Sequence, residues 1–100
     1  MLRDQKRFAC SIETQVGCLS GTSEARISDL GTGGCRIDSE ARVRTGETVS
    51  FYIPLPSGRS ISLMGTVAYV REGEGFGVTF GELPMETKMQ ILNLMKASEG

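Results

Sequence analysis

The sequence predicts an all-β barrel followed by one C-terminal α-helix. Three features point that way. Apolar residues alternate with polar ones in stretch after stretch between residues 8 and 80, the period of strands with one buried face. The 13 glycines fall mostly at the ends of those stretches, where turns belong. Beyond Pro84 the period changes to that of a helix.

The first strand carries Phe8, Cys10, Ile12, Val16 and Cys18 in one phase. Ser20-Gly21-Thr22-Ser23 turns the chain. Ala25 and Ile27 then share a face opposite Glu24, Arg26 and Ser28. The pattern breaks from Asp29 to Gly34 and resumes with Cys35 and Ile37. Thr45-Gly46-Glu47 precedes a strand with Val49, Phe51 and Ile53 on one side, which leaves Tyr52 outside. Pro54 ends that strand and Pro56-Ser57-Gly58 turns back. The longest alternation follows, with Ile61, Leu63, Val67 and Tyr69 in phase. Gly65 shares that phase, which predicts a bulge or bend there. Glu72-Gly73-Glu74-Gly75 reads as a hairpin tip, and Phe76, Val78 and Phe80 as the last strand.

A helix is expected over 84–97. Pro84 fits its first turn, where the missing N–H loses no bond. Met85, Met89, Leu92 and Met95 form one stripe with Ile91 beside it, and Lys88 and Lys96 border it. This stripe is expected to pack on the barrel. Five to seven short strands and one helix make a small antiparallel barrel, whose closure removes exposed edges. The organisation expected is one domain over 1–100, with a mobile N-terminal segment at 1–7, the barrel at 8–81 and the helix at 84–97.

With 100 residues, a single small core is the default. Eleven basic against 12 acidic side chains give a net charge of −1, which disfavours a general nucleic-acid binder. There is no His, so a Cys nucleophile lacks its usual base. No Cys/His cluster suggests a metal. Enzymatic function is therefore not expected. No apolar run reaches membrane-spanning length, and the N-terminus is polar and charged, which makes a cytoplasmic protein the simplest reading. Cys10, Cys18 and Cys35 are odd in number and widely spaced, as reduced, partly buried thiols would be.

Two short motifs carry the functional information. Arg3-Asp4-Gln5-Lys6-Arg7 reads RxxxR, and Asp29-Leu30-Gly31-Thr32-Gly33-Gly34 reads DxGxxG and runs into Cys35-Arg36-Ile37. Each alone is weak. Arginines four apart are ordinarily a solvated face, and an Asp-led glycine turn is ordinarily an Asx-type turn. Their order and surroundings are more specific. RxxxR leads into a strand from Phe8. Ile27-Ser28-Asp29-Leu30 passes through the glycines into a second. Gly65-Thr66-Val67-Ala68-Tyr69-Val70 precedes Gly75-Phe76-Gly77-Val78-Thr79-Phe80.

Over roughly residues 2 to 95 this set resembles the PilZ domain family, receptors for cyclic di-GMP. The resemblance implies a six-stranded antiparallel barrel with a C-terminal helix. It implies cyclic di-GMP as ligand, often as a stacked pair of molecules, and no further cofactor. Arg3 and Arg7 match the two arginine positions, Asp29 the acidic one and Gly34 the closing glycine. Planar guanidinium forks can bond guanine O6 and N7 or phosphate oxygens. A carboxylate can accept from the guanine pairing edge. Glycine lets backbone and ligand approach closely.

One position departs from the family. Gly31 stands where Ser is usual, which removes a hydroxyl. A neutral hydrogen bond contributes about 0.5–1.5 kcal/mol, so affinity should fall roughly threefold to tenfold. Thr32 is adjacent and offers a replacement hydroxyl. Arg36 and Arg71 are secondary candidates.

Three functions remain in competition. The first is a cyclic di-GMP receptor whose N-terminal segment folds over the ligand and signals to a protein partner, in motility, adhesion or exopolysaccharide control. The second is a PilZ-fold interaction scaffold with weak or no nucleotide binding. Gly31 favours it, and the retained arginines oppose it. The third, a barrel for single-stranded nucleic acid, needs a basic groove with aromatic platforms, and six aromatics mostly in core phase with a net charge of −1 count against it.

Overall fold

The computed structural model describes residues 7–99. Arg3, and the expected mobility of the N-terminal segment, lie outside the described residues. The alternating stretches become β1 (Arg7–Cys18), β2 (Gly21–Gly31), β3 (Gly34–Ser39), β4 (Thr48–Pro54), β5 (Ser60–Arg71) and β6 (Gly75–Thr79), followed by α1 (Met85–Glu99). The six strands close into an antiparallel barrel in the order β1-β2-β3-β6-β5-β4. Period-two sequence becomes burial directly. In β4, Val49, Phe51 and Ile53 point inward while Thr48, Ser50 and Tyr52 are exposed. The core joins these to Val16, Ile27, Leu30, Cys35, Ile37, Leu63, Val67, Phe76 and Val78. Phe51 and Phe80 meet across it with ring centroids 6.1 Å apart.

The β1–β2 ladder runs from Arg7↔Gly31 to Cys18↔Gly21, with one irregularity between Ala9 and Ile12. The seam that closes the barrel is thinner: Gly17↔Ser50 is the register pair between β1 and β4. A side chain supplements it. The buried Thr14 hydroxyl donates to the Tyr52 carbonyl at 2.7 Å and accepts from the Tyr52 N–H at 3.1 Å. Thr14 lies in the inward phase of β1 and stands in for two ladder bonds.

Three expectations need correction. Gly65 pairs with Val49 within an unbroken β4–β5 register, and the bulge in β5 falls further on, between Val67 and Tyr69. What Gly65 supplies is space. A Cβ there would collide with Val78 Cγ1 and lie 2.7 Å from the Thr79 carbonyl oxygen. The displaced bulge shifts the phase, so Tyr69 sits on the outer surface, 40% exposed, with its ring over Gly77. The helix also turns otherwise than its methionine stripe suggested. Ile91 is fully buried, whereas Met85, Met89 and Leu92 are exposed. The bulky β-branched Ile91, with Leu94 beside it, fits the core more closely than the methionines do.

α1 packs on β1 and β2. Its Leu94 and Ala97 form an apolar cleft with Leu55 and Pro56, at the end of the barrel where β4 turns into β5. The same end carries the start of β1, the end of β2 and the start of β3. Arg7 and the turn from Asp29 to Gly34 therefore converge there.

Candidate functional site

The β1–β2 and β2–β3 ladders together assemble the site. Arg7 opens β1 opposite Gly31, and Asp29 pairs with Ala9 on β1 and with Arg36 on β3. These registers bring the Arg7 guanidinium onto the Asp29 carboxylate, Nη1 to Oδ1 at 3.0 Å. The two motifs, 22 residues apart in sequence, thus meet in one ion pair. The side chains are 39% and 34% exposed. A pair this open to water contributes only about 0–1 kcal/mol, so a ligand that separates the two groups loses little by doing so.

Gly34 forms the floor beneath Arg7. A Cβ at that position would run into the Val78 carbonyl oxygen and come within 3.0 Å of Arg7 Nη2. Only a hydrogen lets β3 lie against β6 there and leaves room for the guanidinium. The glycines with positive φ are Gly21, Gly46, Gly58, Gly73 and Gly75. Gly31, Gly33 and Gly34 are not among them, so their backbone conformation is open to any residue, and at Gly34 it is close approach that demands glycine. The turn they form is also anchored, since the Gly33 carbonyl accepts the Phe80 N–H at 2.9 Å.

Gly31 lies directly across from Arg7. Paired residues of an antiparallel ladder share a face. A side chain at 31 would therefore rise beside the guanidinium, where a serine hydroxyl would be within the site. Thr32 lies just past the end of β2 and is half-buried.

The secondary arginines are placed differently. Arg36 is in register with Asp29 but directs its guanidinium elsewhere, to Asp38 at 3.6 Å and Glu74 at 3.3 Å. Arg26 holds Asp38 Oδ2 at 3.2 Å, and the Ser28 hydroxyl donates to Oδ1, the oxygen facing Arg36, at 3.5 Å. Arg71 pairs with Gly75, and Gly34 with Thr79. The four-residue offset between those β6 positions puts Arg71 roughly 13 Å along the strand from the site. Its guanidinium stands 5.8 Å from the Tyr69 ring centre. The sequence reading missed the network around Asp38. The signal was present in the alternation, since Arg26 and Asp38 lie in the outward phase of adjacent strands.

Two thiols underlie the site. Burial pushes the Cys35 thiol up to about 12, with Arg7 pulling it down and Asp29 and Cys10 adding to the rise. Burial, and then the Asp29 carboxylate, raise the Cys10 thiol, whose Sγ donates to the Ile27 carbonyl at 3.4 Å. Among the described residues, no group of three or more His, Cys, Asp or Glu is arranged to hold a metal. None of the described helices is long and apolar enough to cross a membrane.

An accessible guanidinium and an accessible carboxylate sit side by side over a flat glycine floor, at the point where the chain enters the barrel. A planar, anionic ligand with amide-like edges matches such a surface.

Comparison with known proteins identifies the fold and the family. The PilZ domain of CeSA from a cellulose-synthesizing bacterium superimposes with a TM-score of 0.70 at 17% identity, covering 95% of this chain and 99% of that one. The Bacillus subtilis inhibitor of motility (MotI/DgrA) superimposes with a TM-score of 0.80 at 15% identity. That match covers 99% of this chain, which spans 51% of the Bacillus protein. At such identities the likeness concerns the fold. No curated protein matches the sequence significantly. The model of the PilZ domain matches residues 1–97, nearly the whole sequence, and the chain therefore belongs to the PilZ domain family.

Proposed function

We propose that this chain is a cytoplasmic receptor for cyclic di-GMP that passes the signal to a protein partner. The observation that carries the reading is the Arg7–Asp29 pair at 3.0 Å over Gly34. It joins the second arginine of RxxxR to the acid of DxGxxG, which supports the reading. Cyclic di-GMP would take Arg7 for its phosphate or guanine acceptor atoms, and Asp29 would accept from a guanine pairing edge. Arg3 would close over the ligand from the segment preceding β1. That segment would be ordered by binding, at about 1–2 kcal/mol of backbone entropy per residue. Its change of state is the signal a partner reads.

Gly31 supports the second reading, a PilZ-fold interaction scaffold with weak or no nucleotide binding. A calorimetric titration of untagged protein with cyclic di-GMP, with GTP as control, separates the two. Heat at micromolar or lower concentrations with the dinucleotide alone is the expected result. No heat, and no rise in Tm at high ligand, would leave the scaffold reading in its place.

A further inference from the structure

We infer that the outer face of α1 is a self-association surface, on which a second copy of this chain docks its own α1 in the antiparallel sense. The helix carries two apolar faces. One holds Ile91 and Leu94 and packs into the barrel. At 100° per residue, Met85, Met89, Leu92 and Lys96 lie within an arc of about 60°, roughly 160° round the helix from that buried face. Met85 is 69% exposed, Met89 49% and Leu92 39%. Polar residues rim the stripe, with Glu86 and Asn93 on one side and Lys88, bridged to Glu82 at 3.6 Å, on the other. An apolar strip with a polar rim has the anatomy of an interface.

Charge selects the occupant and its direction. Glu86 occupies the first turn of α1 and Lys96 the last. A two-fold axis between positions 90 and 91 would set Met89 against Leu92 of the second copy, and Met85 against the methylene stem of its Lys96. The ammonium of that Lys96 would then fall about 1.5 Å along the axis from Glu86, within reach of its carboxylate. The helix dipoles would also oppose favourably. A parallel pairing would place Glu86 on Glu86 and Lys96 on Lys96. The surface is thus complementary to itself under one closed symmetry operation, as an isologous dimer requires. A strip on a helix about 22 Å long is well short of the roughly 800 Å² per partner of a standard interface. The dimer is accordingly weak and dependent on concentration.

Sedimentation equilibrium of the chain from about 10 µM to about 1 mM tests this, because mass action drives the dimer upward over that range. The mass should climb from 10.8 kDa towards twice that value. Met89→Lys, at an exposed position that folding does not need, should hold the mass at the monomer value. Glu86→Lys alone should weaken association, and Glu86→Lys combined with Lys96→Glu should restore it. A monomer at every concentration, association indifferent to Met89→Lys, or a charge swap that fails to rescue would each overturn the proposal. Circular dichroism of each variant confirms that it is folded.

Discussion

Arg7 and Arg36 reach the outside of the same barrel, yet their surroundings differ. Among the described residues Arg7 has one carboxylate, Asp29, and a glycine floor. Arg36 is shared between Asp38 and Glu74, and Asp38 is itself held by Arg26 and Ser28. The first arrangement can exchange its partner for a ligand by opening a single exposed contact. The second would have to dismantle several at once. Exposure alone therefore does not distinguish an arginine free to take a ligand from one committed to its neighbours. The number of competing partners and the space left beside the guanidinium do.

The strongest way to break the contrast is to remove the floor. Gly34→Ala would press a methyl against the Val78 backbone and Arg7. Overpacking of this kind costs about 1–3 kcal/mol. A Tm lower by several degrees, together with loss of cyclic di-GMP binding, is expected, and an unchanged melting curve would contradict the geometry. Next in size is Arg7→Ala. Loss of a charged hydrogen bond costs about 1.5–3 kcal/mol, so calorimetry should show a Kd roughly 10- to 150-fold weaker. Lys6→Ala, just outside the described residues, should change little. Equal effects would reduce Arg7 to one member of a general positive patch.

Two smaller effects sharpen the comparison. Gly31→Ser adds a hydroxyl on Arg7's face and should tighten binding roughly threefold to tenfold. No change, or a loss, would mean that this turn meets the ligand in another way. Arg36→Ala should leave the Kd within about twofold, as surface changes away from a site do. A tenfold loss would enlist Arg36 and dissolve the distinction from Arg7.

The barrel was legible because Val49-Ser50-Phe51-Tyr52-Ile53 alternates throughout, and the other strands over most of their length, and alternation maps directly onto inside and outside. The errors arose where one residue shifts the phase. The bulge after Val67 moved Tyr69 outside, and nothing local to Gly65 marked it, because the bulge answers to the fit of β5 against β6. The helix failed for a related reason. Its periodicity is satisfied by two apolar faces, and only packing against β1 and β2 chooses Ile91 over Met89. At the site, Arg7, Asp29 and Gly34 were named from sequence because the order of motifs survives without coordinates. Their contact was not, since it depends on register between strands. The Asp38 network stayed hidden because its members are ordinary alternating charges.

Cys35 offers a consequence of a practical kind. Its thiol lies in the core beneath the Arg7–Asp29 pair and, pushed up to about 12, is almost wholly protonated at neutral pH, whereas the thiolate is the form that reacts. An alkylating reagent should consume the two half-buried cysteines first and reach Cys35 only through moments when the barrel comes apart. The slow phase of such labelling is a clock for barrel opening that the natural sequence already contains. Bound nucleotide should slow that clock in proportion to its occupancy, so one native sulfur would time the protein's breathing and register its ligand without any added probe.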